Sequence, residues 1–331
     1  MKNIFSKETL LKILVLASRL NHGNIPQAFS KLSSSSKDYF FFNPKNLDDQ
    51  ELSKIDIIIG WDPILLPKIL NLPHLHLKWI QAYSAGVDYY PLSKIAQRKV
   101  LMSTVSGIHA EPISENVIGM ILSFYRGIYQ AALNQTKRKW QVPSKLTTVF
   151  GKHILIFGTG HIGGRIAELA QSFKMKITGI NHSGHPAEKF PSALTINSLD
   201  DKRIKNADIV VNTLPLTKQT KGLFNHKLFS KFKNYPLYVS VGRGPTTKTQ
   251  DLITALKKKQ IGGAALDVTD PEPLPSSNPL WQMRNVIITP HLSGLYDNYL
   301  GDVLKIFKEN LYQFEKDGTL ARNQVDLKAG Y

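Results

Sequence analysis

The sequence predicts an α/β protein in which two domains are each built around a parallel sheet. The chain has 331 residues, of which 42% are hydrophobic, and this is enough for two domains with separate cores. Along both halves, short apolar runs alternate with helical or polar stretches. That alternation is typical of parallel strands joined by crossover connections.

The first hundred residues contain four predicted strands, at 12–17, 39–43, 55–60 and 77–82. The first run resembles the core of a secretory signal, but Lys12 interrupts it and no convincing cleavage site follows. We therefore interpret it as a buried strand. A helical pattern then begins at Ser114, which is a plausible N-cap, with Glu115 in the first turn.

A second alternation follows and predicts a doubly wound parallel sheet. Its six predicted strands are 153–157, 176–180, 207–213, 237–241, 263–268 and 285–289. A helix over 162–173 follows the first of them. The last helical stretch, 295–314, is expected to return to the first domain.

Composition excludes several classes of protein. The chain has no cysteine, so disulfides, thiolate metal ligands and a cysteine nucleophile are ruled out, and we predict no metal site. No apolar run approaches the ~18 residues of a membrane helix. The net charge of +17 could indicate nucleic-acid binding, but the lysines are spread along the chain, so we expect a solvated basic surface and no nucleic-acid partner. We expect a cytoplasmic protein.

A glycine motif supplies the most specific local signal. It comprises Gly158, Thr159, Gly160, His161, Ile162 and Gly163. The motif lies directly after a predicted strand and before a predicted helix, which is the context that a dinucleotide-binding cradle requires. Gly158 permits the tight turn, Gly160 lets the backbone approach a pyrophosphate, and Gly163 lets helix and strand pack closely.

The end of the second strand of that sheet carries no carboxylate. In such folds an acidic residue at this place holds the adenosine ribose and repels a 2′-phosphate. Here the strand ends in Asn181, His182 and Ser183, which can donate hydrogen bonds or, for His182, become cationic. We therefore predict NADP as the preferred cofactor, with NAD as the alternative, although no arginine is present there.

Three further segments follow predicted strands and carry reactive side chains. They contain Arg243, Glu272 and His291. In open α/β sheets, ligands bind at the carboxyl ends of the strands. Each residue alone also fits an ordinary structural role, as a surface ion pair, a turn carboxylate or a loop imidazole.

Taken together and in order, these segments resemble the D-isomer-specific 2-hydroxyacid dehydrogenase family over nearly the whole chain. Other matching segments are 84–88 and 212–217. The resemblance implies a Rossmann-type dinucleotide-binding domain at 105–294. It also implies a discontinuous, flavodoxin-like substrate domain, made of 1–104 and 295–331, with the active site in the cleft between the two domains.

The resemblance implies that Arg243, Glu272 and His291 are the catalytic residues. Reduction of a 2-keto acid needs a proton for the developing alkoxide, and a protonated imidazole suits this near neutral pH. Glu272 would orient His291 and stabilise its imidazolium form. Arg243 offers a planar fork of donors that can hold the substrate carboxylate and polarise the ketone oxygen.

Other roles are also implied by the resemblance. Backbone N–H groups of Ser84, Ala85 and Gly86 would bind the substrate carboxylate. Asp267 would contact the nicotinamide carboxamide. The remaining expected cofactor-binding positions are Leu214, Pro215, Thr220, Val241, Gly242, His291 and Gly294. A homodimer through the central domain is implied too, with the helix after Ser114 contributing.

Two positions depart from the family pattern, since Lys248 stands where Asp is common and Ser240 where Asn is common. Glu272 argues against formate oxidation, because formate-oxidising enzymes of the family carry Gln at this position. The short remainder after the last helix argues against a regulatory tail. Reduction of glyoxylate or hydroxypyruvate stays open, as does a nicotinamide-sensing corepressor-like binding protein.

The aromatic residues near the expected cleft either line it or pack the domain. They are Trp61, Tyr83, Tyr296 and Tyr299.

Overall fold

The structure, a computed structural model, describes residues 11–16, 39–41, 47–143, 146–198 and 200–330. The chain separates into two compact units. The first unit combines Met1–Ile108 with Asp297–Tyr331, and the second is His109–Tyr296.

The first unit contains a five-stranded parallel sheet in the order β2-β1-β3-β4-β5. This is the flavodoxin-like order, which confirms the predicted fold of this part. Its elements before the second unit are β1 (Lys12–Leu16), β2 (Tyr39–Phe41), α1 (Asp49–Ser53), β3 (Ile57–Gly60), α2 (Leu65–Asn71), β4 (Trp79–Gln81), α3 (Leu92–Gln97) and β5 (Leu101–Ser103). The predicted strand ends at Ala17 and at 42–43 lie outside the described residues. Strand β5 was not predicted.

The second unit contains a seven-stranded parallel sheet in the order β12-β11-β10-β9-β6-β7-β8. Counted from its first strand, this is the Rossmann order with one added edge strand, so the predicted doubly wound sheet is confirmed. Its elements are α4 (Ala110–Tyr125), α5 (Ile128–Gln135), β6 (His153–Phe157), α6 (His161–Ser172), β7 (Lys176–Asn181), β8 (Ala193–Thr195), α7 (Lys202–Lys205), β9 (Ile209–Asn212), α8 (His226–Phe229), β10 (Leu237–Ser240), α9 (Thr249–Lys257), β11 (Gly263–Leu266) and β12 (Val286–Ile288). The sequence prediction of six strands missed the short β8.

Helix α4 begins five residues earlier than predicted. His109 occupies the N-cap position, and Ser114 lies inside the helix, where its hydroxyl donates to the carbonyl of Glu111 at 2.9 Å. The predicted Ser114 cap is therefore wrong. Pro112 lies in the first turn, where its missing N–H disrupts no helical hydrogen bond.

Helix α10 (Tyr299–Asp317) belongs to the first unit. It packs on the sheet through its aromatic face: the Phe307 ring stacks on Trp79 with ring centroids 5.3 Å apart, and Phe314 also contacts Trp79. Among the helices described, none is both long enough and apolar enough to cross a bilayer.

Candidate active site

The carboxyl ends of β10, β11 and β12 bring the three candidate catalytic segments to one edge of the second sheet. These strands are neighbours in the sheet and run parallel. Arg243 follows β10 by three residues and His291 follows β12 by three, while Glu272 lies in the loop after β11. Strands β6 and β7 end at the same edge, so the glycine motif and Asn181 lie on it too.

The glycine motif forms a cradle that only glycine can build. Gly158 has a φ of +101°, and a Cβ there would lie 2.4 Å from Thr213 Oγ1. A Cβ on Gly163 would lie 2.0 Å from the carbonyl oxygen of Gly158, so helix α6 packs directly on the strand end. Gly160 has open space beside it, and no side chain caps α6. The first N–H groups of α6 are therefore uncapped beside open space, which fits a dinucleotide pyrophosphate.

The ribose edge is organised by Asn181. Its side-chain oxygen accepts from Gly184 N at 2.6 Å, and its amide nitrogen donates to the carbonyl of His185 at 2.9 Å. The turn after β7 is thereby folded without a carboxylate. His182 and Ser183 are exposed on this turn.

The segment after β9 packs against the Arg243 turn. A Cβ on Gly242 would lie 2.5 Å from the carbonyl oxygen of Leu214, so glycine is required for this approach. Thr220 Oγ1 donates to the carbonyl of Pro215 at 2.6 Å and accepts from Thr217 N at 2.8 Å. In this structure the Thr220 hydroxyl folds its own loop, and its contact with a pyrophosphate stays a prediction.

His291 and Glu272 form a hydrogen-bonded pair. His291 Nδ1 lies 3.0 Å from Glu272 Oε2, and the other carboxylate oxygen accepts from Thr269 N at 3.0 Å. The His291 side chain is 51% exposed, which leaves Nε2 on the open side of the ring. The pair thus has an oriented imidazole whose free nitrogen can transfer a proton.

Asp267 anchors the segment that carries His291. The carboxylate is 2% exposed and accepts hydrogen bonds from Thr289 Oγ1, Leu292 N, and both the backbone and hydroxyl of Ser293. Its backbone oxygen accepts from His291 N at 2.9 Å. These bonds hold His291 at a φ of +51°, which a non-glycine residue adopts only under constraint. Because four donors already occupy the carboxylate, its predicted contact with a nicotinamide carboxamide stays a prediction.

His109 is a neighbour of Arg243 that the sequence analysis missed. It is partly buried at the N-terminus of α4, and a Cβ on Gly294 would lie 3.0 Å from its ring. Burial, and secondarily the charge of Arg243, lower the pKa of His109 to about 4. The ring is therefore neutral near pH 7. No local pattern could have indicated this, since Arg243 is 134 positions away in the chain.

The partly buried His109 predicts a loss of stability in mild acid. Because its pKa of about 4 in the folded protein lies below the ordinary 6.5, the unfolded chain binds a proton first as pH falls. The free energy of unfolding should drop by on the order of 2 kcal/mol between pH 7 and pH 5 from this group alone. Urea unfolding of the wild type and of His109→Gln at both pH values measures it. An equal drop of the unfolding free energy in both proteins would show that His109 is not the source of the loss.

The predicted substrate loop, residues 84–86, lies in the first unit, and the hydrogen bonds of Ser84 are made within this region. Ser84 Oγ donates to the carbonyl of Gly86 at 2.7 Å and lies 2.6 Å from Tyr89 Oη. Ala85 and Gly86 are partly exposed, so the backbone of this turn is accessible. The Ser84 hydroxyl is engaged within the loop.

Two of the four aromatic residues near the expected cleft pack the first unit. Trp61 and Tyr83 are buried, and the Trp61 ring contacts that of Tyr90 at a tilt, with centroids 4.8 Å apart. Tyr299 donates to the carbonyl oxygen of Tyr83. Tyr296, at the end of the second unit, is partly exposed.

Comparisons with known proteins agree with these features. A family model described as "D-isomer specific 2-hydroxyacid dehydrogenase, NAD binding domain" matches residues 118–293. The chain is 31% identical to glyoxylate/hydroxypyruvate reductase A HPR2 of Arabidopsis thaliana, over 68% of this chain and 71% of that protein.

Two solved structures are similar over nearly the whole chain. One is a D-isomer-specific 2-hydroxyacid dehydrogenase family protein from Aeromonas salmonicida, with 30% identity, a TM-score of 0.81, and coverage of 96% of this chain and 100% of that one. The other is an NADPH-dependent glyoxylate/hydroxypyruvate reductase from Sinorhizobium meliloti in complex with NADP and sulfate. It is 26% identical, with a TM-score of 0.79 and coverage of 97% and 100%.

Proposed function

The chain belongs to the D-isomer-specific 2-hydroxyacid dehydrogenase family, and from this premise we propose that it reduces a small 2-keto acid to the D-2-hydroxy acid, with His291 as the proton donor. The observation that carries the proposal is the pair of His291 and Glu272 at the sheet edge that also bears Arg243 and the glycine cradle. We further propose that the first unit binds substrate and the second binds the dinucleotide, in a cytoplasmic enzyme.

The residues present fit a nicotinamide dinucleotide. Gly158, Gly160 and Gly163 leave the room that a pyrophosphate needs, and the uncapped start of α6 provides donors for it. Leu214 and Gly242 would border the nicotinamide end. When bound in its reduced form, the dinucleotide supplies the hydride for C2 of the keto acid.

Arg243 and His291 divide the work on the substrate. The Arg243 guanidinium binds the carboxylate through a planar pair of donors and polarises the ketone oxygen. His291 Nε2 gives its proton to the oxygen as negative charge develops there. Glu272, bound to Nδ1, keeps the ring oriented and stabilises its protonated form.

The name of the Arabidopsis relative favours glyoxylate and hydroxypyruvate as substrates. A panel of 2-keto acids assayed with NADPH and NADH, with chiral analysis of the product, tests the reaction, the cofactor and the stereochemistry together. The panel contains glyoxylate, hydroxypyruvate, pyruvate and the keto acids of branched and aromatic amino acids. Absence of turnover on every member, with dinucleotide binding intact, would instead support the corepressor-like alternative.

We propose that NADPH is the preferred donor. The turn after β7 has no carboxylate to repel a 2′-phosphate, and the exposed His182 and Ser183 can donate hydrogen bonds to one. The similar protein from Sinorhizobium meliloti was solved with NADP.

A new carboxylate at this edge should reverse the preference. Ser183→Asp is expected to lower the ratio of kcat/KM for NADPH to that for NADH by at least about tenfold, because the carboxylate repels the 2′-phosphate and accepts from the ribose hydroxyls. Ser183→Asn, of similar size and no charge, is the control. A wild type that uses only NADH would refute the preference before any variant is made.

We propose a homodimer that is formed through the segment after α4. Large apolar side chains are exposed along it, at Ile128, Trp140, Val142 and Phe150. Exposed apolar groups in one segment are typical of an interface. Light scattering is expected to give twice the 37.2 kDa of one chain, and Trp140→Ser should shift the protein toward the monomer. A wild type that stays monomeric at micromolar concentration would contradict the proposal.

A further inference from the structure

A buried polar network lies between the ends of β9 and β10, directly behind the Arg243 turn. Asn212, the last residue of β9, has no exposed surface and is paired in register with Ser240 of β10. Its partners are the buried hydroxyl groups of Tyr238, Ser240 and Thr246, and the buried Thr247 joins the network through Tyr238. None of these side chains was predicted as part of the site.

The oxygen of the Asn212 amide holds the segment that borders the expected nicotinamide end. Asn212 Oδ1 accepts from Leu214 N at 3.1 Å. Leu214 in turn packs against Gly242, one residue before Arg243. The amide oxygen therefore fixes the direction in which the chain leaves β9.

The nitrogen of the same amide reaches the Arg243 turn. Asn212 Nδ2 lies 2.7 Å from Thr246 Oγ1, and this hydroxyl donates to the carbonyl oxygen of Arg243 at 2.6 Å. Because the Thr246 oxygen accepts from Asn212, its own proton is directed at Arg243. Thr246 N donates to the same carbonyl at 3.1 Å, so the backbone of Arg243 is held twice.

The rest of the network fixes the orientation of the amide. Asn212 Nδ2 lies 3.2 Å from both Tyr238 Oη and Ser240 Oγ, and Tyr238 Oη lies 2.6 Å from Thr247 Oγ1. Burial raises the pKa of Tyr238 to about 12, so its hydroxyl keeps its proton. A flipped amide would turn its nitrogen toward the N–H of Leu214, which is a donor too.

We propose that Asn212 is a positioning residue, whose single buried amide sets the Arg243 turn and the Leu214 segment relative to each other. The proposal rests on the proposed function, since it acts through Arg243. Ser240, one of the departures from the family pattern, is the residue paired in register with Asn212 on the neighbouring strand. A buried network of this kind is rigid because each member is satisfied.

Thr246 offers a test that leaves the site residues unchanged. Thr246→Val keeps the shape and removes the hydroxyl, whereas Thr246→Ser keeps the hydroxyl. We expect Val to raise the KM for the keto acid by about tenfold, because the guanidinium is displaced, while the Kd for NADPH, from fluorescence titration, changes less than about twofold. Ser should restore the wild-type KM.

Tyr125→Phe is the matched control for loss of a buried hydrogen bond. Tyr125 Oη donates to the carbonyl of Asp208 at 2.8 Å, at the opposite end of β9. This variant should lower the melting temperature without moving KM. If Thr246→Val lowers the melting temperature likewise and leaves KM and kcat within about twofold of wild type, the network is only structural and the proposal is overturned.

Asn212→Leu removes both the oxygen and the nitrogen of the amide. It should raise the KM for the keto acid and also the Kd for NADPH, which Thr246→Val leaves nearly unchanged. An unaltered NADPH Kd in a folded Asn212→Leu protein would refute the part that concerns Leu214. If the wild type itself turns over no 2-keto acid, the proposed function fails instead, and that result is distinct from active variants with unchanged constants.

Discussion

His291→Gln is expected to lower kcat for keto-acid reduction by at least about 100-fold, the usual scale for loss of a general acid. Glutamine keeps the polarity and approximate size of the side chain but cannot transfer a proton near neutral pH. Steady-state kinetics under saturating NADPH measure the loss. The Kd for NADPH should change much less than kcat, because the glycine cradle for the pyrophosphate lies at β6 and His291 is one of many expected cofactor contacts.

A second histidine–carboxylate pair in the same unit provides the control. His226 Nδ1 lies 3.6 Å from Asp251 Oδ2, on the surface near α8 and α9. His226→Gln should keep wild-type kcat. A His291→Gln enzyme that does the same would remove His291 from the mechanism.

Glu272→Gln tests the partner of His291 through the pH profile. The variant can still accept from Thr269 N, but it removes the negative charge beside Nδ1, so the imidazolium becomes less stable. Reduction needs the protonated ring, and its rate should therefore begin to fall at lower pH than in the wild type. An unchanged profile would exclude Glu272 from this role.

Arg243→Ala is expected to lower kcat by at least about 100-fold and to raise the KM for the keto acid, because both the carboxylate anchor and the polarising charge are lost. Arg243→Lys should recover only part of the activity, since a single ammonium cannot reproduce the planar pair of donors.

Arg165→Lys is the matched control for the change of cation. Arg165 forms ion pairs with Glu111 and Glu168 on the surface of the same unit. This substitution should leave kcat and the KM for the keto acid near those of the wild type. If Arg243→Lys also leaves kcat and the KM for the keto acid unchanged, the guanidinium has no special part in the reaction.

Patterns within short stretches predicted most of the fold. The strand, glycine motif and helix at 153–173 are contiguous, and the sheet order confirms the two predicted α/β architectures. Strands β5 and β8, each of three residues, were missed. The Ser114 cap was wrong because serine bonds equally well to a carbonyl three residues back inside a helix.

The sequence by itself determined the family, the two parallel-sheet architectures and which side chains are chemically able to act, because these depend on local order and residue type. The partners of those side chains depended on the tertiary structure. Asp267 holds the His291 segment, His109 lies beside Arg243, and Asn212 joins two loops, each through contacts between residues 22 to 134 positions apart. Hydrogen bonds and burial act over a few ångströms in space, and only the packing of strands and helices brings such distant positions together.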